Sequence, residues 1–208
     1  MSNILILDTS TERGVVALAQ GSEQLFFEEL PAGLKSSHFL MTTLQNVFQK
    51  YPVDLQAIGV TVGPGSFTGI RVAVAVAKGL ALAQSLPLIA LSSLAGFISP
   101  HEGRFASVID ARIGGAYVLI QERVGDEIRE QGLPELCPKE ALPEKLRGCH
   151  SVVGPSFQKL PIEGAVETHP DAAHLAKIAA YRYANGDFFS EGELELAYLN
   201  NPSFRVDG

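Results

Sequence analysis

The run IGVTVGPGSFTGIRVAVAVAKGLALAQ, residues 58–84, decides the fold. Its first five residues, Ile58 to Val62, read as a buried strand because they are apolar and rich in β-branched side chains. Gly63 to Gly69 then form a tight loop with glycines at the first, third and seventh positions. Ile70 to Gln84 follow as a helix, and Pro87 to Leu91 supply another strand. A strand, loop, helix and strand in that order make a crossover unit, which belongs to an α/β fold.

Working outward, Ile4 to Leu7, Val15 to Ala19 and Leu25 to Leu30 are apolar runs separated by Gly14 and by Gly21-Ser22, so they read as a three-stranded meander. Ser36 or Ser37 can cap a helix whose apolar positions Leu40, Leu44, Val47, Phe48 and Tyr51 keep the helical period until Pro52 stops it. The second half repeats the pattern more weakly. Strands are expected at Ala106 to Ile109, Tyr117 to Val124 and Ser151 to Val153, with a Gly114-Gly115 turn. A Pro-bounded helical patch is expected near Lys139 to Leu146, and a helix over Asp171 to Ala184 with Asp171 as its N-cap. The polar, turn-rich Ser99 to Gly103 marks a lobe boundary.

The 208 residues, at about 150 per domain, correspond to about 1.4 domains, so one large domain or two small lobes are both open. With 46% hydrophobic and 19% charged residues the chain can bury a real core, and global disorder is excluded. The net charge of −7 makes unaided binding to nucleic acid a poor expectation. Cys137 and Cys149 form no CxxC and read as reduced thiols, which favours the cytosol. Met1 to Ile4 lack a signal-peptide pattern, and the one span-like stretch, Val72 to Leu91, is interrupted by Lys78, Gln84, Ser85 and Pro87, so no membrane segment is expected.

The loop resembles several phosphate-binding motifs and matches none of them. Gly69 is followed by Ile70-Arg71 where a Walker loop needs Lys-Ser/Thr, and the spacing GxGxxxG departs from the dinucleotide fingerprint. Pro64 also removes the first glycine of a nucleophile elbow around Ser66. Its glycines admit either an anion or another stretch of backbone. No Asp or Glu occurs from Leu55 to His101, so a general base or Mg²⁺ site cannot come from that segment. His169 and His174 flank Asp171 at a spacing that suits no metal. The helix over 70–84 is apolar nearly all round, with Ala73, Ala75, Ala77, Gly79, Ala81 and Ala83, and must be covered on both sides. One face meets the sheet; the other meets either a partner helix or the helix over 36–51.

Gly63-Pro64-Gly65-Ser66-Phe67-Thr68-Gly69-Ile70-Arg71, with Asp8-Thr9-Ser10 upstream and Asp110-Ala111-Arg112-Ile113-Gly114 downstream, resembles the TsaB (YeaZ) family over most of the chain. The resemblance implies an α/β fold of the actin, sugar-kinase and heat-shock-chaperone ATPase class (ASKHA), with two small lobes, each of a mixed sheet and helices. It implies an N-terminal lobe, residues 1–100, with the glycine loop and partner-binding helices, and a reduced C-terminal lobe, residues 101–208, with a polar tail. The implied role is that of a noncatalytic scaffold in the complex that makes threonylcarbamoyladenosine in tRNAs reading codons that begin with adenine. In that complex a homologous transferase, TsaD, carries the metal on a His-x-x-x-His motif, and an ATPase, TsaE, joins the pair. The alignment puts the metal-binding histidines at Ser93 and Phe97, so no catalytic residue, metal or cofactor is implied for this chain.

The implied partners are a TsaD homologue, TsaE through the complex, a second copy of the chain when alone, and tRNA only through the complex, in the cytoplasm and away from membranes. Asp8, Thr9, Ser10, Gly63, Pro64, Gly65, Ser66, Phe67, Thr68, Gly69 and Arg71 become a phosphate-loop-like remnant. His38, Met41 and Gln45, with Ala73, Ala77, Lys78 and Ala81, become the partner interface. Asp110, Arg112 and Tyr117 form a second-lobe motif without an assigned role. The chain departs from the family pattern at Gly115, where a Glu is usual, and at Leu196 to Asn200, which replaces Pro-x-Tyr-Leu-Arg. The competing readings are an ATP-dependent small-molecule kinase or glycoprotease-like enzyme of the same fold, and a homodimeric interaction module with no role in tRNA.

Overall fold

The computed structural model describes residues 2–21, 23–31, 36–112 and 114–190. The departure noted at Leu196 to Asn200 lies outside the described residues, as do the side chains of the capping candidates Ser36 and Ser37. The first sheet contains β1 (Asn3–Asp8), β2 (Val15–Gln20), β3 (Glu23–Glu29), β4 (Ala57–Gly63) and β5 (Leu88–Ser92) in the order β3-β2-β1-β4-β5. The β1-β2 and β2-β3 pairs are antiparallel, whereas β1-β4 and β4-β5 are parallel. The parallel pairs need crossovers, and α1 (Ser36–Lys50) and α2 (Phe67–Gln84) supply them.

Both faces of this sheet are covered, which is why β1, β2 and β4 carry almost unbroken apolar runs. Alternation along the strands sends Leu5, Leu7, Ile58, Val60 and Val62 toward α1 and α2, and sends Ile4, Ile6, Ala17 and Ala57 to the opposite face. That opposite face is covered by α4 (Ala172–Ala184) through Ala172, Leu175, Ala176 and Ala179. A Cβ at Gly59 would touch the side chains of Ile6 and Ala179, so the residue's smallness lets α4 lie close.

The second sheet has the order β11-β10-β6-β7-β8, built from β6 (Gly103–Asp110), β7 (Gly115–Val124), β8 (Glu127–Glu130), β10 (Ser151–Gly154) and β11 (Val166–Glu167); β9 (Glu135–Pro138) also pairs with β7. One face is packed by Leu142 of α3 (Leu142–Lys145), Leu160 and Cys137. The other meets Leu94, Ala95, Phe97 and, from α4, Ile178. Ile178 also packs in the cluster on the first sheet, so α4 lies between the two sheets.

Four expectations change. Helix α2 begins at Phe67, capped by Ser66, so Phe67, Thr68 and Gly69 of the expected loop form its first turn. The helical patch near Lys139 to Leu146 is a 3-10 turn at Lys139–Ala141 followed by the four-residue α3. Strands β8, β9 and β11 add to those expected. The helix over 171–184 comes late in the chain yet completes the first sheet, because its alanine stripe matches the Ile4, Ile6 and Ala17 face. Its predicted cap is present: the Asp171 carboxylate accepts the His174 N–H at 2.8 Å.

By length and composition α2 is the one helix among the described residues that is apolar enough to cross a bilayer. Its buried residues Ile70, Ala73, Val74, Ala77 and Ala81 instead pack in the core formed with the sheet and α1.

Candidate functional site

Asp8 ends β1 with its carboxyl fully buried. Oδ1 accepts the Ser10 N–H and the Thr61 hydroxyl, each at 2.7 Å, while Oδ2 has no partner among the described residues. Burial pushes its pKa up, against the lowering effect of those hydrogen bonds. The Ser10 hydroxyl is likewise buried, beside the Asp8 carboxyl, and it too acts to lower that pKa.

The glycine loop closes on this turn. The Ser66 N–H donates to the Ser10 carbonyl at 2.5 Å, the Thr9 hydroxyl to the Gly69 carbonyl at 2.6 Å, and the Gly69 N–H to the Ser66 hydroxyl at 3.3 Å, which caps α2. A Cβ at Gly65 would overlap the Ser10 carbonyl oxygen, and one at Gly69 the Thr9 carbonyl oxygen. The glycines therefore serve a close backbone-to-backbone approach, and the Ser66 and Gly69 donors that could cradle a phosphate are spent inside the protein. This arrangement does not fit the nucleotide phosphate implied by the wider fold class. Gly63 and Pro64 are buried behind the loop.

In front of it lies a cleft of about 270 Å³ between the lobes. Ser10, Gly65, Ser66 and Phe67 line one wall, and Asp110, Arg112, Tyr117, Ser156 and Lys159 the other. The fold thus unites part of the loop motif with the second-lobe motif. It leaves Asp8, Thr9, Gly63, Pro64, Thr68, Gly69 and Arg71 off the lining. Arg71 stacks over the Phe67 ring at 3.7 Å from the centroid. Asp110 accepts the Arg112 N–H at 2.9 Å, holding Arg112 in a left-handed turn at φ 59°.

No group of three or more His, Cys, Asp or Glu suited to a metal occurs among the described residues. Phe97, at one position where the resemblance places a metal-binding histidine in the partner, is buried in the apolar cluster between the lobes, and Ser93 is buried as well.

The second feature is the outer surface of α1 and α2, which pack side by side on the first sheet. His38, Met41 and Gln45 point outward, and Lys78 is half-buried. Ala73, Ala77 and Ala81 do not belong to this surface. They are fully buried against the sheet, and an interface role for them is corrected by that burial. The exposed stripe is instead Ala75, Gly79 and Ala83, flanked by Leu82 at 68% exposure and, across on α1, by Phe39 and Met41. A Cβ at Gly79 would meet no heavy atom within 4 Å. A usable signal was present: Ile70 and Val74 lie on the Ala77 stripe, and bulky side chains mark the face that fills a core.

The model of the family described as tRNA N6-adenosine threonylcarbamoyltransferase (TsaD) matches residues 32–175. The tRNA threonylcarbamoyladenosine biosynthesis protein TsaB of Haemophilus influenzae is 28% identical over 95% of this chain and 93% of its own length. The protein of the same name from Escherichia coli is 28% identical over 95% and 94%. Among solved structures, YeaZ from Pseudomonas aeruginosa superposes with a TM-score of 0.76 at 27% identity, covering 96% of this chain and all of that one. Two mixed-sheet lobes with crossover helices are an α/β fold, shared with that YeaZ structure. The chain belongs to the threonylcarbamoyltransferase family and, within it, to the TsaB/YeaZ group.

Proposed function

We propose that this chain is a noncatalytic subunit in the synthesis of threonylcarbamoyladenosine in tRNA, and that it works by docking the outer face of α1 and α2 on a homologous TsaD-type transferase in the cytoplasm. The place in that synthesis rests on the family. The observation that supports the docking mode is the exposed Ala75-Gly79-Ala83 stripe with Leu82 and Met41 beside it. A glycine in the middle of an exposed helix costs about 1 kcal/mol relative to alanine. That cost has a structural use when another backbone must approach at Gly79. Leu82 and Met41, at 68% and 52% exposure, would each contribute about 1 to 2 kcal/mol on burial.

A scaffold of this kind acts by binding the partner's active conformation better than its inactive one, and needs no reacting group of its own. The Ser66 and Gly69 N–H groups of the glycine loop are engaged internally, which favours this reading over phosphate chemistry at those two donors. The ATPase TsaE would join the assembled pair, and the same helix face would pair two copies of this chain when the transferase is absent. These roles belong to the proposed interface.

The test is reconstitution of threonylcarbamoyl transfer with a TsaD-type transferase, TsaE, tRNA and threonylcarbamoyl-adenylate, leaving out one protein at a time. Transfer is expected to require this chain, and Gly79→Glu, which keeps the fold, is expected to abolish complex formation and transfer together. Full transfer without the chain, transfer by the chain alone, or a Gly79→Glu complex as tight as the parent's would overturn the reading.

A further inference from the structure

We infer that Arg13 is a strap that ties the two lobes together and sets the width of the cleft between them. Arg13 belongs to the β1-β2 turn of the first lobe, yet its Nε donates to the Pro155 carbonyl at 2.6 Å and its Nη2 to Glu167 Oε2 at 2.9 Å, both in the second lobe. The contact has two points, and its acceptors are themselves fixed. Glu167 Oε1 accepts the Phe157 N–H at 3.0 Å, so one carboxylate holds both the strap and the loop after β10. The Phe157 N–H first, and then Arg13, keep the Glu167 carboxyl below the usual range.

The place of the strap gives it a consequence. Ser10, Thr11 and Glu12, immediately before Arg13, line one wall of the cleft, and Pro155 and Ser156 line the other. The turn is stiffened by the Thr11 hydroxyl, which accepts the Arg13 N–H at 3.2 Å. Glu29, which pairs with Val15 just beyond the turn, meets His169 at 3.3 Å, so a second contact lies along the same seam. The chain crosses between the sheets twice, through the segment from Leu94 to Glu102 and again from β11 through Thr168 to Asp171 into α4, whose Ile178 packs on both sheets. Neither crossing passes through the β1-β2 turn, where Arg13 makes the two-point polar contact with the second lobe, so releasing it frees that edge of the cleft. The exposed part of the ion pair contributes little, and the charge-assisted bond to the Pro155 carbonyl contributes more. The inference is independent of the partner reading, because it concerns lobe orientation and not the outer face of α1 and α2.

The experiment places spin labels on either side of the cleft, at the exposed Thr68→Cys next to Phe67 of the first wall and at Lys159→Cys on the second, in protein with Cys137 and Cys149 replaced by Ala, and measures the distance between them by pulsed dipolar spectroscopy. The parent is expected to give one narrow distance. Arg13→Gln is expected to raise the weight of a longer distance about tenfold, equivalent to about 1.4 kcal/mol. Arg13→Lys keeps the charge without the two-point fork and is expected to fall between them. Glu167→Gln should shift the distribution in the same direction by less. An Arg13→Gln protein with parental circular dichroism and an unchanged distance distribution would overturn the proposal. So would loss of the fold in both Arg13→Gln and Glu167→Gln, since a tie that only orients the lobes leaves each sheet intact.

Discussion

Replacing Ala77 by Glu is expected to unfold the protein, whereas the same substitution two residues on, at Gly79, leaves it folded. Ala77 is fully buried in the cluster formed by α2, α1 and the first sheet. The core residues packed around that position are apolar and offer a glutamate no charge to pair with. It would therefore be held neutral. Carrying a carboxyl of ordinary pKa about 4.3 in its protonated form at pH 7 costs about 3.7 kcal/mol, and forcing the longer side chain into a filled core adds about 1 to 3 kcal/mol. The total is comparable to the whole stability of a domain, about 5 to 15 kcal/mol. At Gly79 a Cβ meets nothing within 4 Å, and exchanging glycine for glutamate in an exposed helix is favourable by several tenths of a kcal/mol. Urea unfolding followed by circular dichroism, with sedimentation of whichever variant stays folded, separates the two. An Ala77→Glu protein with the parental midpoint, or a Gly79→Glu protein that unfolds, would refute the assignment of the two faces.

Gly69→Ala is expected to destabilise the protein by several kcal/mol, measured by thermal or urea unfolding, because its Cβ would overlap the Thr9 carbonyl and backbone cannot step aside as a side-chain tip can. Asp8→Asn is expected to change the pH dependence of stability. The folded pKa of Asp8 is raised by burial, so its contribution is complete below about pH 4 and is lost as pH rises through the folded value, at up to about 1.4 kcal/mol per pH unit. The asparagine variant should therefore gain on the parent as pH increases, and a difference that is flat between pH 4 and 8 would count against a buried, proton-holding carboxyl. Asp171→Ala should cost about 1 kcal/mol in the same assay, by removing the acceptor of the His174 N–H at the start of α4.

The elements most legible in the sequence are those whose punctuation is local. Gly14, Gly21, Pro52 and Asp171 fall at the ends of β2, β3, α1 and α4 because turn and cap geometry depends on a few neighbouring residues. Strands β8 and β9 carry no such signal: Glu127, Arg129 and Glu130 or Glu135 and Pro138 look like loop residues, and their strand form comes from pairing with β7. The face of α2 that meets the sheet was ambiguous for a different reason. Small residues occupy both the Ala73-Ala77-Ala81 and Ala75-Gly79-Ala83 stripes, so periodicity alone cannot orient the helix. The return of α4 to the first sheet is a non-local match between surfaces and has no local marker.

The glycine loop shows why the site was harder to read than the fold. A spacing that lets a backbone N–H reach an anion also lets a loop lie against a neighbouring turn, and the two uses differ only in what occupies the space where a Cβ would stand. Here that space at Gly65 and Gly69 is taken by the carbonyls of Ser10 and Thr9, and the Ser66 N–H is bonded to one of them. Within this chain the loop's demand for glycine is accounted for by packing, so substitution there is read first in the unfolding midpoint. The side chains that remain facing the cleft, among them Tyr117, Arg112 and Lys159, lie mostly on the second lobe. Their distance from the first wall depends on how the lobes are held, which makes the chemistry available in the cleft a property of the interlobe contacts and not of the GPGSFTG motif alone.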